Sequence, residues 1–143
     1  MKIIKYFFEF IFIIILFFIF KIIGYKKASD LGEILGKKIG PFFRSHRKLK
    51  NNLTISNIGK TEEMKETIIN KMWGNYGRIF AEYMFIKEYR ENGLSGNLDV
   101  SGHNYLEKIK NENKPVIFIS GHFNNFELMA MYLEKSGIDL AAI

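Results

Sequence analysis

Residues 3–23 are almost wholly apolar, and from Phe10 to Phe20 the run has no interruption. Nothing else in the chain restricts the fold as much, because such a stretch must be covered by protein or by lipid. As an α-helix rising about 1.5 Å per residue it reaches ~31 Å, close to the hydrocarbon thickness of a bilayer. Its charged interruptions are Lys5, Glu9 and Lys21. The lysines lie near the ends, where their stems can carry the ammonium groups to the headgroups. Glu9 lies one helical turn from Lys5 and can pair with it or take up a proton. No small-x-small cleavage site follows, and aromatics crowd the place where one would fall, which argues against a secretory signal. A transmembrane or membrane-anchoring helix is therefore expected over 3–23, with a helix lying in the interface as the other arrangement. Lys21, Lys26, Lys27, Lys37 and Lys38 outnumber Lys2 and Lys5, which places the C-terminal side in the cytoplasm.

The charge is loaded at the front. Residues 1–60 carry 12 Lys/Arg and 3 Asp/Glu, whereas 61–143 carry 9 and 12, so the net +6 comes wholly from the first part. Cations adjoining an apolar span suit anionic headgroups rather than nucleic acid. The chain has no Cys, which excludes a disulfide framework and fits a reducing compartment. Residues 24–60 thus form a basic membrane-proximal segment. Within it Asp30 is placed to cap a helix beginning near Leu31. Gly32, Gly36 and Gly40 recur along one side, either admitting a close neighbour or merely loosening a short helix. Pro41 ends or bends that element. Phe42 and Phe43 are positioned to dip into lipid beside Arg44, His46, Arg47 and Lys48. His46 and His103 read as surface groups.

Residues 51–60 are polar and unpatterned. Thr61 reads as an N-cap with Glu62 and Glu63 in the first turn. Met64, Ile68, Met72, Tyr76, Ile79 or Phe80, and Tyr83 then mark one face of a long helix. That face is expected to pack in the core, with holding an acyl chain as the other role. Arg78 and Glu82 form an i,i+4 pair. Residues 88–97 read as a charged loop leading to a strand near 98–100, and a short helix is expected over 106–110. Neither a Rossmann glycine fingerprint, a P-loop nor metal-spaced His/Cys clusters occur.

Residues 115–127 read PVIFISGHFNNFE. The β-branched run 116–119 suggests a strand covered on both faces. Ser120, Gly121 and His122 end it, and a helix follows from the asparagines towards Gly137, a plausible C′ residue. With a second strand over 138–143 the unit is βαβ, and the expected class is α/β. His122 then stands at the carboxyl end of a parallel strand, where open sheets bind ligands. Glu127, beyond the turn, can accept a hydrogen bond from one ring nitrogen and leave the other to take a proton from a hydroxyl. Direct attack by that hydroxyl needs no covalent intermediate, and there is no Cys to form one. The bland counterpart is a His that caps its helix and a Glu that balances the helix dipole.

The order from Lys114 to Leu128 resembles the H-x4-D/E block of the glycerolipid acyltransferase superfamily, and more closely that of the lipid A late (lauroyl/myristoyl) acyltransferases. The segment Val100-Ser101-Gly102, the run from Trp73 to Arg78 with Glu82, and Arg47 to Leu53 resemble the family's earlier segments. The resemblance implies His122 as general base and Glu127 as its support. It implies acyl-acyl carrier protein or acyl-CoA as co-substrate and a membrane lipid as partner, with no metal or bound cofactor. The fold it implies is an N-terminal transmembrane helix and membrane-proximal helices, then the first βαβ part of an acyltransferase-type sheet over 61–143. The family's later blocks would follow Ile143, so the stretch corresponds to about the N-terminal half of an enzyme. The function implied is transfer of a fatty acyl group to a hydroxyl of a lipid A precursor at the cytoplasmic face of the inner membrane. Another acceptor, a lysophospholipid or a glycolipid, is the alternative enzyme; an inactive truncated membrane-bound half-domain is the alternative without activity.

Overall fold

The computed structural model describes residues 2–91, 99–112 and 114–141. Two compact units divide the chain, Met1–Phe85 and Ile86–Ile143.

The first unit opens with α1, Lys2–Ile23. It is long and apolar enough to cross a membrane, and only 6% of its most apolar window is buried by protein. Lys5 and Glu9 pair at 3.6 Å along it. Phe20 alone is fully covered, packing with Phe17 against Phe80. Gly24, at φ 80, turns the chain into α2, Tyr25–Ile39. Asp30 accordingly lies inside α2 and not at its start. A 3-10 turn, Gly40–Phe42, carries Pro41 and leaves Phe42 and Phe43 88% and 80% exposed.

Next comes α3, His46–Ile55, where no element is expected past residue 50. Its end explains why composition hides it. Asn57 takes φ 54 and donates to the Thr54 carbonyl, while Ile58 donates to that of Leu53. That is a Schellman close with Asn in place of the usual Gly. The long helix α4 spans Glu62–Glu82 and starts as expected, the Thr61 hydroxyl accepting from the Met64 N–H at 3.1 Å. A second 3-10 turn, Tyr83–Phe85, places Phe85 under the Lys21 ammonium and beside Tyr25.

The extensive contact of this unit is between α2 and α4, and glycine makes it possible. A Cβ on Gly36 would come within 2.9 Å of the Gly77 Cα, and one on Gly32 within 2.9 Å of the Ala81 Cβ. No side chain fits there, so the helices meet backbone to backbone. The glycine row of α2 is thus a docking face. Along α4 the buried positions are Ile69, Gly74 and Ala81, while Met64, Tyr76, Phe80 and Tyr83 remain 38–58% exposed. The stripe of large residues is not the packing face; the stripe of small ones is. Polar links flank the contact. Arg78 donates to the Ser29 hydroxyl and to Asp30 at 3.0 Å and also pairs with Glu33, and Ser29 donates to Glu82 at 2.9 Å. Arg78 and Glu82 therefore reach across to α2 rather than along their own helix.

The second unit contains α5, Ile86–Glu91; α6, His103–Glu112; and α7, Glu127–Lys135. Residues 88–91, expected in a loop, are helical; the remainder of that loop, 92–97, and position 98 of the strand expected over 98–100 lie outside the described residues. Gly137, at φ 80, donates to the Glu134 carbonyl and Ile138 to that of Leu133, so α7 ends in the Schellman motif its glycine suggests.

The expected βαβ unit does not form. Among the described residues the protein is all-helical, and 99–100, 114–120 and 138–141 run as irregular chain. The α/β class is thereby corrected. An apolar β-branched run signals burial, but a strand exists only when a neighbour closes the ladder. None of these segments pairs with another, and Ile117 and Ile119 stand 90% and 92% exposed. His122 consequently follows an irregular segment, not a parallel strand. The helix expected between the strands is present as α7.

Candidate active site

His122 and Glu127 lie either side of the turn that opens α7. Gly121 precedes a tight reversal in which the Phe123 N–H donates to the Gly121 carbonyl at 2.8 Å, closing a three-residue turn centred on His122. The chain then needs a left-handed residue, and Asn124 supplies it at φ 48. Asn tolerates that conformation better than most side chains. Bonds from Leu128 to the Asn125 carbonyl and from Met129 to that of Phe126 wind the first turn of α7. Glu127 is its first residue, where a carboxylate meets the positive end of the helix dipole.

The imidazole is exposed and packs on the Phe126 ring, centroids 4.2 Å apart and planes tilted 39°. That ring contact is what the fold fixes for His122. Glu127 is half-buried and borders a cavity of about 560 Å³ with Ala130, Met131, Glu134 and Ile138. Between them Asn125 has both carboxamide atoms buried without a hydrogen-bond partner. Sequence reasoning placed the asparagines only at a helix start; the orphaned amide next to the His was not foreseen, and no pattern in the residues signals it. Ser120 turns its hydroxyl to the Gly121 carbonyl at 3.4 Å.

The other histidines have partners of their own. His103 meets the Tyr132 hydroxyl at 2.7 Å through Nδ1, and His46 meets Glu66 at 2.9 Å through Nε2. Lys50 also reaches Glu66, at 2.5 Å. The Lys50 ammonium foremost, then His46, holds the Glu66 carboxyl below its ordinary range, and Lys37 with Arg78 does so for Glu33. Among the described residues no cluster of His, Asp and Glu has the form of a metal site.

An exposed imidazole thus stands five residues before a carboxylate that opens α7, in a chain led by an apolar helix. The model of the bacterial lipid A biosynthesis acyltransferase family matches residues 1–143, and the chain belongs to that family. Neither the curated proteins nor the solved structures give a match.

Proposed function

We propose that this chain carries the base-bearing part of an O-acyltransferase that moves a fatty acyl group from acyl-acyl carrier protein to a hydroxyl of a lipid A precursor. The reaction takes place at the cytoplasmic face of the inner membrane, with α1 as a single-pass anchor. His122 takes the proton of the acceptor hydroxyl while the oxygen forms the new ester bond to the thioester carbonyl. The carbon–sulfur bond breaks, and the departing thiolate receives the proton from the imidazolium. Glu127 orients the ring and stabilises its charged form. Apo geometry of such a pair is often looser than that of the reacting complex. The observation that carries the reading is the His122–turn–Glu127 arrangement at the start of α7 in a member of this family.

Its test is turnover per folded molecule in the full-length protein with saturating acceptor. His122→Ala is expected to lower the rate by ~10² to 10⁴ with little change in acceptor affinity. Glu127→Ala loses less, and Glu127→Asp recovers part of that loss. The double variant is scarcely worse than His122→Ala, since the two residues act as one unit. Near-normal turnover for His122→Ala sinks the proposal.

A further inference from the structure

Two aromatic rings belong to the turn that leads into α7, and only one of them covers the imidazole. The Phe126 ring lies 4.2 Å from that of His122, centroid to centroid, with the planes 39° apart. The Phe123 ring is 82% exposed and lies against Gly121 instead. The backbone accounts for the difference. Phe126 donates its N–H to the Asn124 carbonyl at 3.0 Å and accepts from the Met129 N–H at 3.3 Å, so it is already wound into the start of α7. His122 stands before that winding, on the exposed turn. A ring carried by the helix therefore faces a ring carried by the turn.

Such a contact acts differently on the two forms of histidine. The face of an aromatic ring is electron-rich and attracts a cation within about 6 Å of its centroid. Neutral imidazole gains the ordinary contact of two rings, whereas imidazolium gains that attraction as well. At an exposed site the attraction favours the charged ring by roughly two- to fivefold. A proton acceptor benefits twice, because its ring is held in one plane and its charged form is stabilised as it appears.

We infer that Phe126 is the positioning residue of His122, its ring holding the imidazole plane against the start of α7 and stabilising the imidazolium. The consequence for the reaction rests on His122 being the base; the ring contact itself does not. On the flanking elements Lys114 pairs with Glu112 at 3.6 Å and Glu134 with Arg90 at 2.6 Å, so Glu127 is the charge to control for.

The test takes two readouts from the full-length protein. One is the NMR titration of the His122 ring protons, identified by their loss in His122→Ala. The other is the acid limb of the kcat/KM profile, which reports groups of the free enzyme. Phe126→Leu keeps an apolar neighbour and removes the aromatic face. In that variant the ring is expected to protonate about 0.4 to 0.7 pH units lower than in the unaltered protein, the acid limb moving with it. Plateau kcat is expected to fall by up to ~10²-fold as the ring loses its plane, with KM little changed. Phe126→Trp, which offers the face that binds cations best, should move both readouts the other way, and Phe126→Tyr should restore them. The shifts should persist when Glu127→Gln is added. Should Phe126→Leu loosen α7, as circular dichroism would show, Phe126→Trp decides alone. Titrations of the Leu and Trp variants that coincide with that of the unaltered protein overturn the inference. So does a shift that vanishes in Glu127→Gln, or a raised KM with the titration unmoved, which would make Phe126 a substrate contact. A titration that moves while the acid limb stays in place upholds the ring contact and removes His122 as the base.

Discussion

The two units of the chain are stabilised in different ways. In Met1–Phe85 one helix pair meets along glycines, and Arg78 ties it together from the side. Among the described residues of Ile86–Ile143 the buried apolar ones are Tyr89 and Leu133, while the apolar segment before His122 lies open. A helix closes its backbone hydrogen bonds by itself and needs a neighbour only for its buried face. An extended segment has no internal bonds and needs the neighbour for backbone and side chains alike. The helices of the first unit thus follow from local pattern, whereas the apolar segment before His122 could become a strand only by pairing.

The sharpest way to break that contrast is to attack the glycine contact. Gly77→Leu forces a branched side chain against the Gly32 and Gly36 backbone, which cannot yield. The expected loss is roughly 3 kcal/mol, at the upper end for overpacking. Amide exchange of α2 and α4 should rise together while that of α6 and α7 is unchanged. Unaltered protection of α2 would show that the close approach is not what holds this unit.

A smaller effect is expected in the second unit. Gly137→Ala puts a Cβ on a residue at φ 80, and the left-handed conformation costs a non-glycine residue about 1 kcal/mol. Nothing crowds the position, the Lys110 ammonium being 4.0 Å from the built Cβ, so strain alone is tested. Faster exchange confined to the end of α7 is the expected readout. A loss spreading through α5 and α6 would mean that the second unit is held by α7 as firmly as the first is by its glycines.

What was legible in the sequence follows the same division. The apolar helix over 3–23, the Thr61 cap and the Gly137 close each depend on residues near in sequence, and each appears in place. The glycine row was visible, but its partner was not, because Gly77 and Ala81 are small residues that a hydropathy reading passes over. The large stripe from Met64 to Tyr83 misled for the same reason: periodicity finds an apolar face without saying whether protein or lipid covers it. Where the expected strands are described, over 116–119 and 138–141, they do not form, because pairing is a property of two segments and was read from one. At the site, the positions of His122 and Glu127 about a turn were legible. The packing of His122 on Phe126 and the orphaned Asn125 depend on the path of 121–126, which sequence leaves open.

The smallest expected effect comes from acid. The Glu33 and Glu66 carboxyls are held below their ordinary value of 4.5, Glu33 chiefly by Lys37 and Glu66 chiefly by Lys50. A carboxyl with a lowered folded-state pKa binds fewer protons when folded than when unfolded. It therefore contributes stability that is present above the unfolded value and lost as the pH falls through the folded one. The loss should begin near pH 4.5 and continue below it. These pairs are partly exposed, so solvent and salt weaken them. The two carboxylates lie in Met1–Phe85, on α2 and α4. Exchange of α2, α3 and α4 followed from pH 6 to pH 3 in low salt should rise progressively below the carboxylate range. Added salt should flatten the change. A rise that begins well above that range, or a profile unaltered in Glu66→Gln, which removes the carboxylate and keeps the shape, would show that the Glu66 carboxylate is not a cause.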